Sequence, residues 1–221
     1  MDKKIRAIIT GSTGMVGEGV LHVCLQHPAV EAVLIVNRRP SGISHPKLKE
    51  IIHADFYDMT PIEAELSGYN ACFFCLGITS VGMKEADYFK ITHTLTLHMA
   101  GILSRLNPDM TFCFVSGAGT DSTEKGKSMW ARVKGKTEND LMQLPFRQVF
   151  AFRPGFMKPI KGMQRTHRFY KFIAWMFPIG RLLSPNGFIR LQELGLAMIH
   201  IVQRGYDKKI INGKDMIRLA Q

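Results

Sequence analysis

Residues Thr10-Gly-Ser-Thr-Gly-Met-Val-Gly17 join an apolar run, Lys4 to Thr10, to a stretch carrying Val16, Val20, Val23 and Cys24 on one helical face. Gly11, Gly14 and Gly17 recur at every third position. Gly11 permits a tight turn at the strand end, Gly14 lets a main chain approach a pyrophosphate, and Gly17 lets the helix pack closely on the strand. The free N–H groups of the helix start, with Ser12, Thr13, Met15 and Val16 between the glycines, then face an anion. A glycine turn alone is weak evidence, since tight turns use glycine for steric reasons too. Here a second strand, Ala32 to Val36, follows the helix. Strand, turn, helix and strand in that order read as a dinucleotide-binding turn.

The alternation continues outward. Lys49 to Ala54 reads as a third strand, followed by a short helix opened by Thr60-Pro61. Ala71 to Leu76 is a fourth strand, and a long helix runs from about Lys84 to Leu106, where Asn107-Pro108 stops it. Thr111 to Val115, a helix over Lys127 to Leu144, and Gln148 to Phe152 complete the series. The pattern predicts an α/β Rossmann fold with a doubly wound, mostly parallel sheet. A chain of 221 residues suits one such domain, with residues 156–221 forming mostly a small substrate-side extension.

The second strand ends Leu34-Ile-Val-Asn-Arg-Arg39. A site selective for NAD usually carries an acidic residue here to accept from the ribose 2′-hydroxyl. Asn37 repels no phosphate, and the guanidinium of Arg38 or Arg39 can pair with a 2′-phosphate, so the expected cofactor is NADP(H). Asp55-Phe56 places a carboxylate either near the adenine amino group or on the following turn. Leu76-Gly77-Ile78, after the fourth strand, would run beside the cofactor ribose.

Composition narrows the class. Residues 1–124 carry 10 Lys and Arg against 13 Asp and Glu, whereas residues 125–221 carry 19 against 5. The basic part calls for an anionic partner, among which cofactor phosphates, an acidic substrate, anionic lipid and nucleic acid are the candidates. No zinc-finger spacing or RNP-like aromatic motif is present, so no specific nucleic-acid partner is expected. Arg165 to Phe177 can be drawn as a helix with Phe169, Phe172, Ile173 and Met176 on one face and Arg168, Lys171 and Trp175 on another. That pattern favours a helix covering the pocket or a homodimer face, since the apolar stripe of most such helices faces the core, over a peripheral contact with an anionic membrane. Cys72 and Cys75 form a CxxC, but residues three apart on a strand point to opposite faces, so core packing is expected rather than redox or metal chemistry. Without a secretory signal pattern or a run long enough to span a bilayer, a cytoplasmic protein is expected.

With these pieces assembled, the chain resembles the atypical short-chain dehydrogenase/reductase superfamily, in its NAD(P)-dependent epimerase/dehydratase-like branch. Within that branch it looks most like the HTATIP2/TIP30-related oxidoreductases. The resemblance rests on the Gly11–Gly17 turn, Asn37-Arg-Arg39, Phe74-Cys-Leu-Gly77, Val115-Ser-Gly-Ala118, Val133-Lys-Gly135 and Phe152-Arg-Pro-Gly155. It implies that Ser116 hydrogen-bonds the reacting carbonyl or hydroxyl of a small substrate. It implies that Lys134 binds the nicotinamide ribose and tunes a catalytic tyrosine four residues before it. It also implies that Arg153, Pro154 and Gly155 pass the nicotinamide end of the cofactor.

At the tyrosine position stands Trp130. A phenol with pKa ~10 can be tuned to exchange a proton near neutrality, whereas an indole N–H only donates. Trp130 is therefore expected to stack on the nicotinamide ribose or wall the pocket. Loss of the acid–base group should cost about 10²–10⁴ in rate unless Tyr88, His93 or a water held by Ser116 replaces it. Two functions follow: a reductase moving hydride between NADPH and a small carbonyl or hydroxyl compound, or a non-catalytic NADPH sensor.

Overall fold

Ile5 to Thr10 lies inside a seven-stranded parallel sheet, hydrogen-bonded on one side to Val30–Asn37 and on the other to Ala71–Phe74. The computed structural model describes residues 4–163, 177–184 and 186–221. Strands β1 (Ile5–Thr10), β2 (Val30–Asn37), β3 (Leu48–Ile52), β4 (Ala71–Phe74), β5 (Thr111–Val115) and β6 (Gln148–Phe152) stand in the order β3-β2-β1-β4-β5-β6. A short strand, Ile210–Ile211, closes the β6 edge. The order reverses between β1 and β4, which opens a crevice at their carboxyl ends. This is the doubly wound Rossmann architecture that the alternation predicts.

The pleat sorts the core into two layers. Ile5, Ala7 and Ile9 face α1 (Met15–Gln26) and the helix Leu191–Arg204, while Ile8 faces the opposite layer with Leu95, Met99 and Leu103 of α3 (Leu95–Leu106). Cys72 falls in the second layer and Cys75 packs against the first, and both thiols are free, as their strand spacing predicts.

The elements differ from the sequence expectation in several places, among them β4, which ends at Phe74 rather than Leu76. The long helix over 84–106 is broken into α2 (Glu85–Phe89), a π-helical turn at Lys90–Thr94, and α3. Strand β3 ends at Ile52, where the next amide, that of His53, bonds to the Asn37 carbonyl at 2.8 Å. The larger correction concerns the C-terminal region. Residues 191–219 are not a substrate-side extension, because Leu191–Arg204 packs on α1 and returns the chain to the main sheet. The contact is close. A Cβ on Gly19 would lie 2.2 Å from the Leu191 side chain, and one on Gly195 would lie 2.8 Å from Val23.

Of the basic segment 165–177, residues 165–176 lie outside the described residues, and Phe177 is buried among Phe156 and Phe188. Among the described residues no helix is long and apolar enough to cross a membrane.

Candidate functional site

The glycine turn divides its work as local sterics require. Gly11 has φ +69°, and a Cβ there would sit 2.7 Å from the Leu76 amide, so the turn and the end of β4 touch backbone to backbone. A Cβ on Gly17 would lie 2.2 Å from the Gly11 carbonyl oxygen. Gly14 is different. It caps α1 in an extended conformation with no side-chain cap, and a Cβ would meet only the Gly11 oxygen, at 3.4 Å. The space before Gly14 is open, and the first amides of α1, including Met15 and Val16, have no intrahelical acceptor. This cradle fits a pyrophosphate by shape and by charge.

Behind the turn lies a polar chain that is buried at Ser12 and Asn37 and half-buried at Glu50. The Ser12 hydroxyl donates to Asn37 Oδ1 at 2.9 Å, and Asn37 Nδ2 donates to Glu50 Oε1 at 2.8 Å. The Ser41 amide donates to the same Glu50 oxygen at 2.8 Å. Asn37 is thus a scaffold residue that ties the phosphate turn to β3. Sequence reasoning missed Glu50, because its partner is thirteen residues away across a strand pair.

A cleft of about 390 Å³ follows the turn. Gly11, Thr13, Asn37, Arg38, Asp55, Phe56, Leu76, Gly77 and Ile78 all line it, which brings together residues from four strand ends. Asp55 Oδ1 accepts from the Tyr57 amide at 2.8 Å, so it caps its own turn while facing the cleft. Tyr57, Ile91 and Leu95 also line the cleft and were not singled out from sequence, although Ile91 and Leu95 stand one helical turn apart. A second cavity of about 550 Å³ is bounded by Thr13, Arg38, Arg39 and Pro40. Both arginines are exposed, and among the described residues neither has a carboxylate partner.

Further along the carboxyl edge, Ser116 follows β5. Its hydroxyl donates to the Phe152 carbonyl at 3.1 Å. Lys134, on α4 (Met129–Leu141), donates from Nζ to the Ser116 carbonyl oxygen. Burial pushes the Lys134 ammonium down to about 8, against the opposing pull of the Glu138 carboxylate. Trp130 lies one turn earlier on α4, and its indole covers the loop after Ser116, 3.4 Å from where a Cβ on Gly119 would stand. Gly135 lets α4 approach that loop, since a Cβ there would overlap the Asp121 carbonyl.

Arg153, Pro154 and Gly155 are accounted for without a cofactor. The Arg153 guanidinium is committed to the buried Glu138 carboxylate and to the Ser122 hydroxyl. The Pro154 carbonyl accepts from the Ala118 amide at 2.8 Å. Gly155 lets its strand approach Gly187, whose carbonyl oxygen would be 2.4 Å from an added Cβ. The motif entered the sequence reading through the family resemblance, and the partners of these contacts are remote in the chain. Among the described residues no group of His, Cys, Asp and Glu is placed to hold a metal.

A parallel sheet whose order reverses beside an open glycine cradle defines a dinucleotide-binding Rossmann protein. The family model for the NAD dependent epimerase/dehydratase family matches residues 7–129, more than half of the chain, and the chain belongs to that family. It is 29% identical to "Protein FMP52-1, mitochondrial" of Scheffersomyces stipitis, over 68% of this chain and 66% of that protein. The chain thus spans just under two thirds of that relative's length. It is 22% identical to "Protein FMP52, mitochondrial" of Candida albicans, over 96% of each chain. The Bordetella bronchiseptica enzyme WbmF, solved in complex with NAD+, shares the fold with a TM-score of 0.67 at 15% identity, over 99% of this chain and 77% of that one.

The relatives' names correct the cytoplasmic expectation, since those proteins are called mitochondrial. That expectation rested on the lack of a secretory signal pattern and of a spanning run, and neither observation bears on mitochondria.

Proposed function

We propose that the protein is an NADP(H)-dependent oxidoreductase acting on a small carbonyl or hydroxyl compound. The observation that carries the cofactor preference is the cavity bounded by Thr13, Arg38, Arg39 and Pro40, which opens beside the phosphate turn at the end of β2. Two exposed cations there suit a dianionic 2′-phosphate, and Glu50 is held behind Asn37 by two N–H donors. Gly11–Gly17 would hold the pyrophosphate, the Phe56 and Tyr57 side would take the adenosine, and Ser116 and Lys134 would meet the reacting end. When bound, the cofactor supplies the hydride. Arg38→Ala/Arg39→Ala should weaken NADPH binding about tenfold or more, one charge-assisted contact being ~1.5–3 kcal/mol, and leave NADH unchanged. Equal affinities of the unaltered protein for the two cofactors, read by calorimetry, would overturn the preference.

A second reading, an NADPH-binding protein without turnover, is favoured by Trp130 at the position where a reductase needs a titratable group. Under either reading a homodimer and a peripheral membrane contact through residues 165–177 stay compatible with the basic C-terminal charge. Sedimentation and vesicle flotation measure them directly.

A further inference from the structure

Reducing a carbonyl takes a proton as well as a hydride, and the indole of Trp130 ionises at no useful pH. The neighbouring candidates point elsewhere. Tyr88 is 2% exposed and lies in the core. His93 directs Nε2 at Asp140 Oδ2, 2.7 Å away, its ring stacks on Phe89, and its Nδ1 is buried without a hydrogen-bond partner. Asp140 stands six residues beyond Lys134, which is about 120° round the helix from it at ~100° per residue. The Ser116 hydroxyl hydrogen is directed to the Phe152 carbonyl.

Lys134 remains. Its ammonium rests on the Ser116 carbonyl, and among the described residues that is its one hydrogen bond, so two of its N–H groups have no acceptor there. On its own helix it faces Glu138, whose carboxylate is neutralised by Arg153 from the end of β6, with Ser122 closing the network.

We propose that Lys134 is itself the proton donor, delivering a proton from Nζ to the substrate oxygen beside Ser116. This rests on the reductase reading above. As the carbonyl carbon accepts hydride from the reduced nicotinamide, the C=O π pair closes onto oxygen and takes the proton. The nicotinamide leaves oxidised, Lys134 is left as the neutral amine, and water reprotonates it after product departs. Titration at about 8 suits the task, because the ammonium is charged at neutral pH yet acidic enough to give its proton up.

The test combines a direct titration with kinetics. In the cofactor-free protein, the pH dependence of acetic anhydride labelling, read lysine by lysine in a mass spectrometer, should give Lys134 a pKa near 8 and exposed lysines the usual higher value. NADPH-dependent reduction of 4-nitrobenzaldehyde, diacetyl and 9,10-phenanthrenequinone should fall as pH rises through the same value. Lys134→Arg keeps the charge but cannot release a proton near neutrality. At saturating NADPH it should lose ~10²-fold or more in rate. Lys134→Ala should regain rate with added ethylamine. Retained rate in Lys134→Arg, or Lys134 titrating with the exposed lysines, overturns the assignment. A protein that binds NADPH but reduces none of the three probes overturns it too and leaves cofactor binding standing. A protein that binds no NADPH overturns both.

Discussion

The Ser12 hydroxyl donates to Asn37 Oδ1 at 2.9 Å, and through Asn37 the phosphate turn is tied to Glu50 on the neighbouring strand. The residue read from sequence as a selectivity position is therefore also a buried connector. Asn37→Asp, the change expected to favour NAD, would set two carboxylates 2.8 Å apart and remove the donor between them. It should cost about 1–3 kcal/mol in urea unfolding at pH 8. The deficit should shrink toward pH 5, where one carboxylate holds a proton. Glu50→Gln in the same chain should restore most of it, and full stability of Asn37→Asp alone would show the network to be unimportant.

The glycines of the turn are separable. Gly14→Val keeps an allowed extended backbone and meets only the Gly11 oxygen at 3.4 Å. It should fold normally and lose ~10²-fold or more in affinity for either cofactor, as a branched side chain fills the cradle. Gly17→Ala would push a Cβ to 2.2 Å from the Gly11 carbonyl. It should destabilise the protein by roughly 3 kcal/mol before cofactor is added. Thermal melting and calorimetry on the two variants distinguish the roles.

Trp130→Tyr restores a phenol one helical turn before Lys134, on the same face of α4. Reduction of generic carbonyl compounds by NADPH should appear or increase. It should also persist above pH 8, since the phenol then carries the proton, and disappear in a Lys134→Met background. A slower tyrosine variant would show that Trp130 belongs to a working site. A variant that binds NADPH without consuming it, like the parent, would favour the sensor reading.

Lys134 also makes stability depend on pH. Its ammonium loses a proton near 8 in the folded protein, whereas a free lysine does so near 10.5. Between these values the unfolded chain binds more protons, so the Lys134 contribution to stability rises with pH and levels off above 10.5. Below 8 the folded state bears the full cost of shielding the charge, at most about 3 kcal/mol. Lys134→Met should therefore melt at a higher temperature at pH 7 and lose the rise between pH 8 and 10. An unchanged melting profile would place the ammonium in water.

The alternation of strands and helices and the glycine turn were legible in the chain, since hydrophobic periodicity and glycine spacing act over a few residues and survive any packing. The same locality explains the CxxC, whose two sulfurs a strand must send to opposite faces. What the sequence could not assign depends on partners far along the chain. The pairing of Arg153 with Glu138 joins residues distant in the chain, and Asn37 reads as a neutral position until Glu50 stands behind it. Residues 191–219 read as an appendage until Gly19 and Gly195 let Leu191–Arg204 settle on α1. The acidity of Lys134 has the same origin. Its residue type sets an ordinary value of 10.5, and only burial in the folded protein brings it to about 8.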